Sequence, residues 1–486
     1  MAACGGSHPS AAAETAAVQT GASAAWIPAG DWRTFDYNAA RSGVAPSPGI
    51  TAANVGALRL RTVRIDGIAD SAPIELHAVT VRGRRRDVAV VTTSYGRTIA
   101  FDPGTGALLW EFVPRGVNST PGNYQVSTST PVADPDRRFV YAAAPNGVVY
   151  KLSLASGQVV WARSVTFDPR HEKMDSALNV SGPYVVMVTG GYYGDAPPYD
   201  GHVDMISRAS GRLAHVWNSE CSNRHRLIHA GSCPTSSTRS AIWGRAGTVI
   251  EPGSRRILTA TGNGAFNGTA DWGDSSLELT ANASRLLHNW TPANQAQLNQ
   301  SDTDLGSSIP ALVPVYHGLH LAVQGAKDSL LHLLNLRRLN GTGGGASPRL
   351  GGQLSQVSSP GGDQVYTMPV ATRIGGLIFV FVADDSGTVA YGLRGGARPQ
   401  LRPVWSSGAP GTSPVLAGGL LYVYDEQNGR LVIRSPGSGH ALRSLPVAQG
   451  HWNSPIAVGG RIILPTGNYR SSASSSLIYI WHLPGR

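Results

Sequence analysis

Two cysteines, Cys221 and Cys233, stand in one loop-like stretch, NSECSNRHRLIHAGSC. Their spacing suits a local disulfide, which belongs to an oxidising compartment. The rival reading is a zinc site with His225 and His229, for which no CxxC or HxxxH-plus-Cys pattern is complete. Further along, Asp302 and Asp304 form a close carboxylate pair in SDTDLGSS, and Lys327 in VQGAKDSLL is one of very few lysines in an Arg-rich chain. Carboxylates can accept a proton, and with amides such as Asn263 in TATGNGAFNG they supply hard oxygen atoms for a cation. Each has a plainer reading. The aspartates can cap a turn, the lysine sits at an ordinary hairpin position, and TGN recurs as PTGNY at Thr466–Tyr469, which makes Asn263 a turn residue.

The elements that must position these groups are short β-strands. Runs such as Asp87–Ser94, Thr98–Asp102 and Leu108–Val113 are apolar and β-branched, with Gly-rich turns between them. The turns keep one phase: FDPGTGALLW from Phe101, LSLASGQVVW from Leu152 and ISRASGRLAHVW from Ile206. Units open alike on a small residue and proline, in STPVA, SSIPAL, TMPVA, TSPVLA and NSPIA. A recurrence of about 40–70 residues predicts a propeller. About eight units begin near Pro73, Pro131, Ala177, Ile242, Pro310, Pro369, Pro414 and Pro455. The last has only three strand-like runs, so Leu58–Ile65 (LRLRTVRI) is expected to supply its fourth strand and close the ring. The predicted fold is all-β: a single eight-bladed β-propeller of four-stranded antiparallel blades over residues 26–486, after a tether of residues 1–25. Trp110, Trp161, Trp217, Trp290 and Trp405 fall near the last strands of successive units, and their shared phase predicts packing between blades.

Composition agrees. Only 14% of residues are charged, while Gly 59 and Pro 32 are high, which fits many short strands and excludes a mainly helical protein. The net charge of +10 comes largely from scattered arginine; the one basic run, Arg82–Arg86, lies in a predicted turn. With no nucleic-acid fold signature beside it, that charge predicts no nucleic-acid partner. Cys4, in MAACGGS before Ala-, Ser- and Thr-rich sequence, has the look of the end of a bacterial lipoprotein signal, although the basic and apolar regions of a signal are missing. Lipidation there would anchor the chain to a membrane; the alternative is an incidental cysteine. No later segment is long and apolar enough to span a bilayer. The expected state is a monomer outside the cytoplasm, lipid-anchored or secreted. Four long excursions, Gly190–Gly201, Asn218–Ser240, Gly262–Ser275 and Thr291–Ser307, belong to the third to fifth units and share one face, where long loops are usually functional.

With its DPGTGALLW turn, the DWRTFDYNAARSG segment at Asp31–Gly43 and the eightfold count, the chain resembles the pyrroloquinoline quinone (PQQ) repeat proteins from Trp32 to its end. These are the quinoprotein alcohol dehydrogenase-like propellers. The resemblance implies roles for residues of the excursion face. Trp243 in SAIWGRAG, out of phase with the five packing tryptophans, matches the platform on which the quinone stacks. Asn263 matches a metal ligand, Asp304 the catalytic base and a further metal-side oxygen, and Lys327 the contact to the quinone carbonyls. Trp452 and Asn453 in GHWNSP face the same mouth as further cofactor contacts, with His451 beside them as a rim residue. The family's third-blade glutamate ligand has no counterpart; TGGYYGDAPPYDG offers only Asp195 or Asp200. The adjacent cysteine pair of the catalytic alcohol dehydrogenases is absent, and without CxxCH the electrons need an external acceptor. What the resemblance implies is oxidation of an alcohol, polyol or sugar with PQQ and Ca²⁺ or a similar divalent or trivalent metal. Because the repeat specifies fold more than activity, the second expectation is a non-catalytic propeller lipoprotein that binds a protein or glycan.

Overall fold

The computed structural model describes residues 27–192, 196–339 and 350–485. Strands pair in sequence order into eight antiparallel blades. The first consists of Ile74–Val81, Arg84–Thr92, Thr98–Phe101 and Leu108–Phe112, from the axis outward. Blades stack face to face, so a middle strand is covered on both sides. Leu420–Asp425 accordingly buries all of its residues, without the alternation of a sheet that has one wet face. Outermost strands are wetter, as in Gln400–Ser407, where only Leu401 is fully buried.

Ring closure follows the expected route. Arg59–Asp66 joins the last blade as its outer strand, in an unbroken register from Arg59 opposite His482 to Asp66 opposite Ser475. A buried ion pair reinforces the seam, with Arg461 of the last blade 2.7 Å from Glu75 of the first and also bonded to Asp87.

The recurring tryptophan and the recurring glycine turn belong to one device. Trp110 of blade 1 lies against Gly157 of blade 2 and donates its indole N–H to Leu154 O at 2.8 Å. Trp161 meets Gly211 and Trp405 meets Gly439 in the same way, donating to Arg208 O and Pro436 O. A side chain on Gly157 would place its Cβ 2.6 Å from the Trp110 ring, at a backbone φ of +74°. The turn needs glycine both for that conformation and for the close approach. Trp217 and Trp290 are buried without this contact.

The segment at Asp31–Gly43 packs among the inner strands. Buried Arg41 there donates to the carbonyls of Ala177, Leu178, Ala246 and Thr248, so one side chain ties the chain start to two blades. Just after it, Val44–Ala45 adds a parallel fifth strand to the seventh blade. In the fourth blade, whose unit begins near Ile242, the inner strand is Val249–Ile250. A turn closed by Gly247 N–H to Gly244 O intervenes, and it leaves Trp243 on the approach to the strand, half-buried and facing the mouth. Cys4, the tether and Asp195 lie outside the described residues. Among the described residues no helix is long and apolar enough to cross a membrane.

Candidate functional site

On the excursion face a cavity of about 910 Å³ opens over the ring axis. Trp243, Trp452 and Tyr366, carried by three different blade connections, form its aromatic floor. Ring centroids lie 6.0 Å apart for Trp243–Trp452 and Trp243–Tyr366, and 6.3 Å for Tyr366–Trp452. Trp452 is held from three sides. Its N–H reaches Asp70 Oδ1 at 3.1 Å, its carbonyl accepts from Arg245 at 2.9 Å, and His451 stacks on its ring at 4.5 Å. Burial alone would push the Asp70 carboxyl up, but the neighbouring His451 and Arg245 hold it below the ordinary range. Asn453 is fully buried and outside the cavity wall. Its amide donates to Ala69 O and accepts from His451 N–H, which positions the loop that carries Trp452.

Across the floor, Asp304 and Lys327 form an ion pair. Asp304 stands just before a single turn at Leu305–Ser307, yet its side chain does not cap that turn. Its Oδ1 accepts from Asn263 N–H at 2.8 Å and its Oδ2 receives the Lys327 ammonium. A Cβ on Gly262 would collide with the carboxylate and crowd the Trp243 indole, so glycine is required for this approach. Burial raises Asp304 above the usual carboxylate range, against the opposing pull of Lys327 and the Asn263 N–H. Burial works to lower Lys327, but the Asp304 charge and hydrogen bond carry it above the ordinary value. Its Nζ lies 5.2 Å from the Trp243 ring centroid. A carboxylate and a cation thus meet beside an aromatic platform.

Asn263 extends this group. Its Nδ2 donates to Asp302 at 2.7 Å, and its buried Oδ1 has no protein partner, the kind of atom a hard cation takes. The structure therefore brings Asn263, Asp302 and Asp304 together. Asp200, the described alternative to Asp195, lies apart from the cavity wall, buried near Glu172 and Glu220. The donor set is consequently short of a full cation shell: Asn263 and Asp304 fit, and Lys327 already balances one charge. Among the described residues, the one trio of His, Cys, Asp or Glu ligand atoms lying within 4.8 Å of one another is Cys221, Cys233 and Asp271. Those cysteines are joined as a disulfide with Cα atoms 5.9 Å apart, so the loop is cross-linked and not a zinc site.

Several wall residues escaped the sequence reading. Lys173 reaches the cavity because Glu172–Lys173 pairs with Gly190–Gly191 in a small separate sheet. Its Nζ meets Asp175 at 2.8 Å and lies 4.9 Å from the Tyr469 ring centroid. Lysine rarity was the available signal, since two of the chain's three lysines line this cavity. Tyr366, Glu426 and Tyr469 had none, because each is a lone residue in a loop.

A PQQ-repeat family model, described as that of the outer membrane protein assembly factor BamB, matches residues 62–250, under half of the chain. No curated protein matches the sequence. In structure the chain is similar to the quinohemoprotein alcohol dehydrogenase from Comamonas testosteroni, with a TM-score of 0.66 and 14% identity, over 94% of this chain and 81% of that one. It is also similar to a europium-containing methanol dehydrogenase, with 0.67 and 13%, over 93% and 98%. BamB from Moraxella catarrhalis gives 0.52 and 11%, over 88% and 99%. At such identities these likenesses establish the fold alone.

Proposed function

Because the chain is a PQQ-repeat β-propeller with the quinoprotein alcohol dehydrogenase-like fold, we propose that it is an extracytoplasmic oxidoreductase acting on an alcohol, polyol or sugar. The observation that carries this reading is the Asp304–Lys327 pair set beside Trp243 at the floor of a cavity large enough for a planar cofactor and a substrate. PQQ, when bound, would supply the two-electron oxidation. Trp243 would give it a flat platform, Lys327 would meet its carbonyls, and Asn263 and Asp304 are the residues that would hold a metal. Asp304 would accept the substrate's hydroxyl proton; its raised pKa makes it a better base than an exposed aspartate, and the Lys327 charge favours its ionised form. The Cys221–Cys233 disulfide supports an oxidising compartment. Anchoring through Cys4 remains part of the proposal, and membrane fractionation of a Cys4→Ser variant tests it.

The test is reconstitution with PQQ and Ca²⁺, followed by quinone absorbance and dye-linked alcohol oxidation. Trp243→Ala should abolish quinone binding, whereas Asp304→Ala should spare binding and remove turnover. Failure of an intact fold to bind the quinone sinks the dehydrogenase. It would favour the second reading, a binding propeller, whose specific support is the short donor set and the family match over residues 62–250.

A further inference from the structure

Among the described residues, the two phenylalanine, tyrosine or tryptophan side chains that stand exposed are Tyr124, at 60%, and Phe167, at 56%. Scattered exposed apolar groups need no explanation, but these two share a place. Tyr124 lies in the connection from the first blade to the second, and Phe167 in that from the second to the third. Both connections cross the mouth face. Pro169 O accepts from Gln125 at 2.9 Å and from Tyr192 at 3.1 Å, which ties the two connections to the cavity wall.

The rings continue inward. Phe167 stacks on His229 at 4.7 Å, and Tyr124 stands edge-on to Tyr192 at 5.5 Å. Lys173 Nζ lies 5.7 Å from the Tyr192 centroid and 4.9 Å from that of Tyr469, and Tyr469 touches His451 at 5.3 Å. From Tyr124 the rings thus lead, by way of the Lys173 ammonium, to the floor at Trp452, while the Phe167–His229 pair stands at the rim on the connection that Pro169 O ties to Gln125 and Tyr192. Polar groups interrupt the rings, including Asp168 paired with His171. By contrast, the exposed aliphatics Leu108, Val159, Val160 and Val404 sit on outermost strands. A protein-binding patch would present a contiguous apolar core. Separate rings alternating with hydrogen-bonding groups suit a ligand whose units have an apolar face and a hydroxylated edge.

We propose that this group of rings is a subsite for a saccharide chain, whose sugar units stack on Phe167 and Tyr124 while the terminal unit enters the cavity beside Tyr192 and Tyr469. It rests on the dehydrogenase reading for the chemistry done on that unit, but not for binding. Each rim ring already has a ring partner, His229 for Phe167 and Tyr192 for Tyr124, which lowers the ordering cost of association.

Isothermal titration of the quinone-free protein with cellohexaose, maltohexaose, xylohexaose and chitohexaose, each against its own monosaccharide, tests the subsite. At least one hexasaccharide should bind about tenfold or more tightly than its monosaccharide. Tyr124→Ala and Phe167→Ala should each remove most of that gain, and Val160→Ala none of it. No preference for any hexasaccharide, or a preference untouched by the rim substitutions, overturns the proposal. Hexasaccharide binding by a protein that does not take up PQQ would keep the subsite and discard the dehydrogenase.

Discussion

Replacing Lys327 with methionine keeps the side-chain stem and removes the charge facing Asp304. Both side chains are well shielded, 17% exposed for Lys327 and 12% for Asp304, so water cannot stand in for the lost cation. Breaking one half of a buried ion pair costs about 3–5 kcal/mol. Here the loss has a ceiling, because Asp304 can take a proton. Its folded pKa is already raised by burial against the pull of Lys327, and it rises further once the lysine is gone. An acid with a raised folded pKa loses stability as pH climbs from its unfolded value through its folded one. The variant should therefore lose less stability at pH 5 than at pH 8, where the loss should be roughly 3 kcal/mol. Urea denaturation of the wild type, Lys327→Met, Asp304→Asn and the double variant at both pH values isolates the pair as a coupling energy. The coupling should exceed about 2 kcal/mol at pH 8 and shrink at pH 5. A coupling below about 0.5 kcal/mol at pH 8, or one that ignores pH, refutes the picture of a buried, lysine-compensated carboxylate.

Three further outcomes follow from the same structure. Burial, with Glu220 and Glu172 nearby, pushes the Asp200 carboxyl up to about 7; stability should fall between about pH 4 and pH 7, and Asp200→Asn should flatten that slope in melting curves. Opening the disulfide with Cys221→Ser plus Cys233→Ser releases a short loop worth about 3 kcal/mol by chain entropy. Limited proteolysis should then cut within 221–233 before anywhere else in the excursion; an unchanged cleavage pattern would show the cross-link to be dispensable. Gly157→Ala should lower stability by about 2 kcal/mol or more, since its Cβ would meet the Trp110 ring. Gly116→Ala, with a similar φ but open space around it, should cost only about 1 kcal/mol. Equal melting shifts for the two would remove the tryptophan contact from the account.

Much of the fold was legible because its determinants are local and repeated. The Gly turn and the Trp one strand later recur at a fixed phase, so their spacing already reports which face of each blade they occupy. Closure by Leu58–Ile65 could be inferred because the last unit lacked a strand. The short inner strand of the fourth blade was not legible. The unit's start near Ile242 could be read, but the turn at Gly244–Gly247, which sets the strand back to Val249, could not. The site was legible in pieces. Trp243 and Asp304 stood out where the repetition fails, and the structure sets them about one cavity. Asn453 was assigned to the cofactor from its neighbour Trp452, yet a loop turns adjacent side chains in opposite directions, and Asn453 points into the protein.

The sequence by itself determined the blade, its number and the ring, because β-period, turn glycine and packing tryptophan act over a few tens of residues. The tertiary structure alone decided which side chains meet at the mouth. Arg245 and Trp452 touch across 207 residues of chain, and Asp70 and His451 across 381. Such contacts exist only once the ring has closed and brought the blade connections to one axis. No local pattern encodes a meeting of loops that are each free to vary alone, so Tyr366, Glu426 and Tyr469 became visible only in three dimensions.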